Sequence, residues 1–278
     1  MSYRAVREIE VRGRATIFGD VHGKLSALER ILRARNVEAE LDAGTHDVIF
    51  LGDLVDRGPV QFSGERMVNT GVEAVMDRVM ALRRRHPERI HCVAGNHELM
   101  HARDIKRRAL RSGDTSQWKS QGTLSLDDER IEFLTSLPLA LVVRAGAQRA
   151  VIVHGGPPEE ASSIDAMRDA PDLLEAHDCN FGGKCMLWSN PAWTKGSHHM
   201  AYAYTREHVE EFLEKLDADY LIRGHRDEPE DLPLSDGRRF LCVHTAQGDR
   251  HSDDPRAGST HVEWDQPAPP ELVRLKGE

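Results

Sequence analysis

The sequence is short of cysteine, of long apolar runs and of positive charge, and each shortage removes a class of protein. Four cysteines, Cys92, Cys179, Cys185 and Cys242, are scattered through 278 residues without a Cys-x-x-Cys pair. A chain of this length needs no disulfide staples and structural zinc asks for tighter ligand spacing, so free thiols are expected, Cys179 and Cys185 on either side of Gly182-Gly183 included. No apolar stretch approaches membrane-spanning length, and residues 1–14 alternate charged with apolar positions instead of forming a signal-peptide core. A cytoplasmic protein with no membrane partner is the expectation. Lys plus Arg number 37 against 46 Asp plus Glu, a net charge of −9, which argues against a nucleic-acid scaffold as partner. An anionic substrate stays open, because a metal ion or a local arginine inverts the sign at a site.

What is present is a globular composition, 39% hydrophobic and 30% charged, expected to fold as a single domain over residues 1–266 with a loose Pro-rich tail over 267–278. Strand-like runs and helical stripes alternate along it. Arg14 to Phe18, Asp47 to Leu51, Arg89 to Val93, Leu139 to Val143, Arg149 to Val153, Tyr220 to Ile222, Arg238 to Val243 and His261 to Trp264 read as strands. Asp236-Gly237 is a hairpin signal. Leu25, Leu28, Ile31 and Leu32 mark one amphipathic helix, and Val68, Val72, Val75, Val79 and Leu82 mark another that ends on Arg83-Arg84-Arg85 before Pro87. A basic helix is expected from Leu99 to Arg111, one with a Ser125 and Asp128 capping pair over 125–136, and one capped by Thr205. Polar stretches at 112–122 and 157–200 read as surface excursions and loops.

Five of the strand-like runs end in a cluster of Asp, His or Asn flanked by Gly or Arg. The clusters hold Asp20 with His22, Asp53 with Asp56, Asn96 with His97, then His154, and finally His225. Singly each has an ordinary explanation, since Gly-Asp pairs make turns and lone histidines sit in cores. Five strand ends of one α/β sheet, however, converge on one edge. Carboxylates, imidazoles and an amide without thiolates suit cations such as Mn, Fe, Zn or Ni. One cation does not need so many ligands, whereas two sharing a carboxylate do, and Asp53, on a central strand, is the natural bridge.

The ordered series Gly-Asp-Val-His-Gly at 19–23, Gly-Asp-Leu-Val-Asp-Arg-Gly at 52–58, Gly-Asn-His-Glu at 95–98, His-Gly-Gly at 154–156 and Arg-Gly-His at 223–225 resembles the calcineurin-like metallophosphoesterases, and within them the phosphoprotein phosphatases. The resemblance spans residues 14–250 and includes Trp188-Ser189-Asn190-Pro191. It implies an α/β sandwich of two mixed β-sheets flanked by helices, with a dinuclear metal site at the strand C-terminal ends. It further implies that Asp20 and His22 hold one metal, that Asn96, His154 and His225 hold the other, and that Asp53 bridges. His97 would be the general acid, Asp56 its orienting carboxylate, and Arg57 and Asn96 contacts of the substrate phosphate. Two divalent or trivalent ions are the implied cofactors, with Mn expected to serve in vitro and Fe, Zn or Ni as alternatives.

The implied reaction is hydrolysis of phosphomonoesters, foremost phosphoserine and phosphothreonine of proteins, by direct attack of hydroxide held on the two metals. A dinucleoside polyphosphate or another small-molecule phosphate is the alternative substrate, and Asp56 tilts the expectation toward monoesters. The chain departs from the family in two places. The second phosphate-gripping arginine is absent before Ala201-Tyr202-Ala203-Tyr204, where His198 or His199 stands as a candidate phosphate contact. Thr245-Ala246-Gln247-Gly248-Asp249 replaces a segment that brings a tyrosine over the site in eukaryotic-type members. Arg223 is expected to be structural, and His244 to lie at a strand end without a ligand role.

Overall fold

Runs that are apolar at consecutive positions suit strands buried on both faces, and the computed structural model of the chain places them so. It describes residues 3–63, 66–110, 127–159, 168, 173, 183–194, 203–248, 253–254 and 256–277. In chain order the first half contains β1 (Val6–Val11), β2 (Arg14–Phe18), α1 (Leu25–Ala34), α2 (Val37–Asp42), β3 (His46–Phe50), β4 (Val60–Ser63), β5 (Arg66–Asn69), α3 (Thr70–Arg85), β6 (Ile90–Cys92), α4 (Asn96–Leu110) and α5 (Asp128–Thr135). The second half contains β7 (Ala140–Ala145), β8 (Gln148–Val153), α6 (Gly183–Trp188), β9 (Asn190–Pro191), β10 (Ala203–Tyr204), α7 (Arg206–Lys215), β11 (Tyr220–Arg223), β12 (Glu230–Pro233), β13 (Arg239–Cys242), β14 (Ser259–Asp265) and β15 (Glu271–Leu275).

Two large sheets result, ordered β1-β7-β8-β11-β13-β12 and β15-β14-β2-β3-β6. Both are mixed. β2, β3 and β6 run parallel while β14 and β15 are antiparallel; β8, β11 and β13 run parallel while β7 and β8 pair antiparallel. Alternation along each strand sends successive side chains to opposite faces. Ile17, Ile49, Leu141, Ile152, Ile222 and Trp264, drawn from both sheets, form one buried cluster and so lie between them. Phe18 and Phe50, one residue on, stack at 5.0 Å and join Leu28 and Ile31 of α1 and Val75 and Val79 of α3 in the second cluster. The expected sandwich is therefore the fold.

Several local expectations change. The charged and apolar alternation of the N-terminus is strand β1, which pairs parallel with β7 from Val6 opposite Ala140 to Val11 opposite Ala145. Residues 37–42, expected as loop, form the one-and-a-half-turn α2. Val68 belongs to β5 and not to the stripe of α3. Asp127 caps α5, accepting from the Arg130 amide at 2.9 Å, in place of the expected Ser125 and Asp128 pair; Ser125 lies outside the described residues. Within the stretch expected as a loose tail, β15 pairs antiparallel with β14 over five residue pairs. The excursion at 112–122, most of 157–200 and Cys179 also lie outside the described residues.

Candidate metal centre

The parallel strands β2, β3, β6, β8 and β11 all deliver their C-terminal ends to one edge of the sandwich, and the five clusters follow those ends. Sharp exits are required there. Of the seven non-glycine residues with left-handed backbone among the described residues, five are His22, Asp53, Asp56, Arg57 and His225, at φ between 47° and 67°. Conformations that cost roughly 1–3 kcal/mol each persist only where the surroundings over-determine them. One such constraint is Glu98, in the first turn of α4. Its buried carboxylate accepts the amides of Asp53 at 2.7 Å, Leu54 at 2.8 Å, Val55 at 3.2 Å and Gly95 at 2.8 Å, which locks the Asp53 loop to the helix start. Gly52, at φ +89°, passes so close to Gly95 that any side chain would strike the Gly95 backbone.

Asp53 occupies the middle. Its Oδ1 accepts the His97 amide at 3.0 Å, and its Oδ2 lies 3.5 Å from His22 Nε2 and 3.4 Å from His154 Nε2. On one side, His22 Nε2 is also 3.8 Å from Asp20 Oδ2, while its Nδ1 donates to the Val55 carbonyl at 3.0 Å. On the other, Asn96 Oδ1 is 2.9 Å from both His154 Nε2 and His225 Nδ1, and those nitrogens are 3.2 Å apart. His154 Nδ1 donates to the Leu51 carbonyl at 2.8 Å, and the His225 amide donates to Asp20 Oδ1 at 2.8 Å. Asp20, His22, Asp53 and His154 are all at most 3% exposed.

This donor set suits a cation. With Nδ1 committed to a carbonyl, neutral His22 turns a lone pair inward, and its buried Nε2 has no hydrogen-bond partner among the described residues. Burial is the main cause that pushes this imidazole down to about 3, so it is neutral and fit to ligate. His225 is likewise held well below its ordinary value by burial and then by the His154 and Arg223 charges. The carboxylates make the opposite demand. Burial raises the Asp53 carboxyl, but the His154 and His97 charges outweigh it and hold it well below the usual range. Burial lowers His154, yet Asp53 and then Asp20 push it up to about 9, so the pocket draws positive charge to that spot. Two ligand groupings, His22 with Asp53 and His97, and Asp53 with His154 and His225, share Asp53.

A second cluster adjoins. His97 Nδ1 donates to Asp56 Oδ2 at 2.8 Å, and His101, one turn further along α4, donates through Nε2 to Asp56 Oδ1 at 2.9 Å. His101 and Glu98 carry no role in the sequence reading, although four-residue spacing on a helix puts His97 and His101 on one face. Arg57, 3.7 Å from Asp227 Oδ1, borders an open cavity of about 480 Å³ that it shares with His22, Lys24, His244 and Arg274. Arg223 is fully buried and donates to the carbonyls of Gly155 and, at 2.9 Å, of Ser189, a structural placement as expected. His244 is brought in as well, its Nδ1 3.6 Å from Asp20 Oδ2. His198 and His199 lie outside the described residues.

The sequence profile of the calcineurin-like phosphoesterases matches residues 13–229, and the chain belongs to that family. Among curated proteins it is similar to a serine/threonine-protein phosphatase of Caenorhabditis elegans, 24% identical over 86% of this chain, and to serine/threonine-protein phosphatase 5 of Homo sapiens, 27% identical over 83% of it. The aligned regions span 48% and 42% of those relatives, so the chain covers about half their length. Among solved structures, a Saccharomyces cerevisiae serine/threonine phosphatase described as similar to human phosphatase PP5 superposes with a TM-score of 0.67 at 16% identity, covering 99% of this chain and 85% of that one. A putative diadenosine tetraphosphatase superposes with a TM-score of 0.57 at 17% identity, covering 99% of both chains. These likenesses carry the fold.

Proposed function

We propose that the chain is a phosphomonoesterase acting on phosphoserine and phosphothreonine of proteins through two metal ions held around Asp53. The observation that carries this reading is the buried His97 and Asp56 pair, 2.8 Å apart, beside the Asp53 donor set. Asp20 and His22 would hold one ion, Asn96, His154 and His225 the other, and Asp53 both. When bound, such a pair lowers the pKa of water toward about 7 and neutralises charge on the phosphoryl oxygens. Arg57 borders the cavity from which a phosphate would enter and supplies a planar fork for its oxygens.

Cleaving the P–O bond of an alkyl phosphate leaves an alkoxide, which needs a proton. His97 Nε2 would supply it, because Nδ1 is committed to Asp56. Burial lowers the His97 pKa, but the Asp53 charge and the Asp56 hydrogen bond outweigh that and raise it, keeping the donor protonated. Asp56 stays ionised: its burial is outweighed by its bonds to His101 and His97, which hold its carboxyl below the usual range.

A second reading, hydrolysis of dinucleoside polyphosphates or of another small phosphate ester, rests on the cavity. Its volume of about 480 Å³ falls within the range of small-molecule sites, and Lys24, Arg57 and Arg274 border it. A parallel turnover screen of phosphopeptides, dinucleoside polyphosphates and small phosphomonoesters under Mn, Fe, Zn and Ni separates the two. Highest kcat/KM on phosphopeptides is expected; highest kcat/KM on a dinucleoside polyphosphate would reverse the order.

A further inference from the structure

We propose that His244 is an additional ligand, through Nδ1, of the metal ion held by Asp20, His22 and Asp53, an inference that rests on the two-metal reading above. β13 is a sixth strand whose C-terminal end reaches the same edge, and His244 follows it by two residues. The backbone around the residue is pinned. Val243 donates to the Arg223 carbonyl at 2.8 Å, the Thr260 hydroxyl donates to the His244 carbonyl, and the Ala246 amide donates to the Asp20 carbonyl at 2.8 Å. The Thr245 hydroxyl accepts the Gly19 amide at 2.9 Å, so the His244 loop and the Asp20 loop are built as one unit.

The imidazole so placed is 4% exposed, and its Nδ1 has no hydrogen-bond partner among the described residues. Buried polar atoms are normally satisfied, so each exception asks for an explanation. Here two exceptions face the same carboxylate, that of Asp20. His22 Nε2, the other orphan, lies 3.8 Å from Asp20 Oδ2 and 3.5 Å from Asp53 Oδ2, and His244 Nδ1 lies 3.6 Å from Asp20 Oδ2. Nitrogen and oxygen donors bound to one ion at about 2.0–2.2 Å sit roughly 3.0–3.5 Å from one another, so both imidazole nitrogens stand within a few tenths of an ångström of ligand spacing from the Asp20 carboxylate. The other ring nitrogen also fits. His244 Nε2 is 3.7 Å from Asp227 Oδ1, a carboxylate on the side of the ring away from Asp20 that favours the N–H there and the lone pair on Nδ1. Asp227 is in turn 3.7 Å from Arg57 Nη1, which ties this ligand to the arginine at the cavity.

The test compares the wild-type chain with His244→Phe, which keeps ring volume and removes both nitrogens, and with His244→Asn. Calorimetric titration of metal-free protein with Mn(II) is expected to show two bound ions for wild type. In both variants one of the two should weaken at least tenfold while the other changes less than twofold. Proton NMR of the wild-type protein loaded with Co(II) adds a readout that needs no variant: contact-shifted imidazole N–H signals are expected for His22, His154, His225 and His244, the last identified by its loss in the variants. A wild-type spectrum without a fourth such signal overturns the proposal, as do variants that keep both affinities. A variant that changes only KM assigns the ring to the substrate and overturns it too. Wild type that binds fewer than two ions refutes the two-metal reading itself, a result distinct from loss of the His244 assignment alone.

Discussion

Asp56 receives two imidazoles, and the one on its Oδ2 is His97, whose Nδ1 stands 2.8 Å away with both side chains buried. The contact joins the Gly52 to Gly58 loop after β3 to the first turn of α4, so the His97 imidazole is aimed by two elements that Glu98 already ties together. Positioning, more than an unusual imidazole, is what the fold supplies at this point.

His97→Ala is expected to leave metal content intact and to slow phosphoserine-like substrates by about 10²–10⁴-fold, the usual span for a lost general acid. Aryl phosphates, whose leaving groups need little protonation, should slow far less. Measuring kcat across a series of leaving-group pKa values checks this, and a uniform loss would remove His97 from the acid role.

His101→Ala frees Asp56 Oδ1, now held at 2.9 Å. A drop of roughly tenfold in kcat on alkyl phosphates with KM unchanged is expected, equivalent to about 1.4 kcal/mol and close to the low end for a hydrogen bond to a charged group. His101→Gln keeps an N–H near the same reach and should recover part of the loss. Steady-state kinetics on both variants decides it; equal loss in the two would mark His101 as packing only.

Asp53→Asn keeps shape and removes the charge that faces both His22 and His154, 3.5 and 3.4 Å from its Oδ2. On the two-metal proposal, both ions should be held more weakly, measured as metal per chain after equilibrium dialysis. Loss of one ion alone would argue against a shared carboxylate.

The strand ends were legible because each couples a β-branched or apolar run to a Gly-flanked ligand residue, as in Val48 to Asp53. The stripes of α1 and α3 were legible for the same kind of reason, a clean spacing, and Leu28, Ile31, Val75 and Val79 are indeed fully buried. What escaped was weakly patterned or set by tertiary contact. β1 alternates Arg7, Glu8 and Glu10 with apolar residues at the end of a sheet, so its period-2 signal carries charge. Leu272, Val273 and Leu275 of β15 are only partly buried and follow three prolines within four residues. Within the site, Glu98 works through backbone amides, which leave no trace in side-chain identities, and His101 matters only because α4 turns it toward Asp56.

The most direct test is stepwise reconstitution. Metal-free protein receives Mn(II) in fractions of an equivalent while bound metal and hydrolysis of a phosphoserine peptide are followed together. Turnover that lags through the first equivalent and rises to a plateau at two per chain is the predicted result. Full turnover at one equivalent, or turnover indifferent to added metal, would contradict a catalytic centre in which two ions share Asp53.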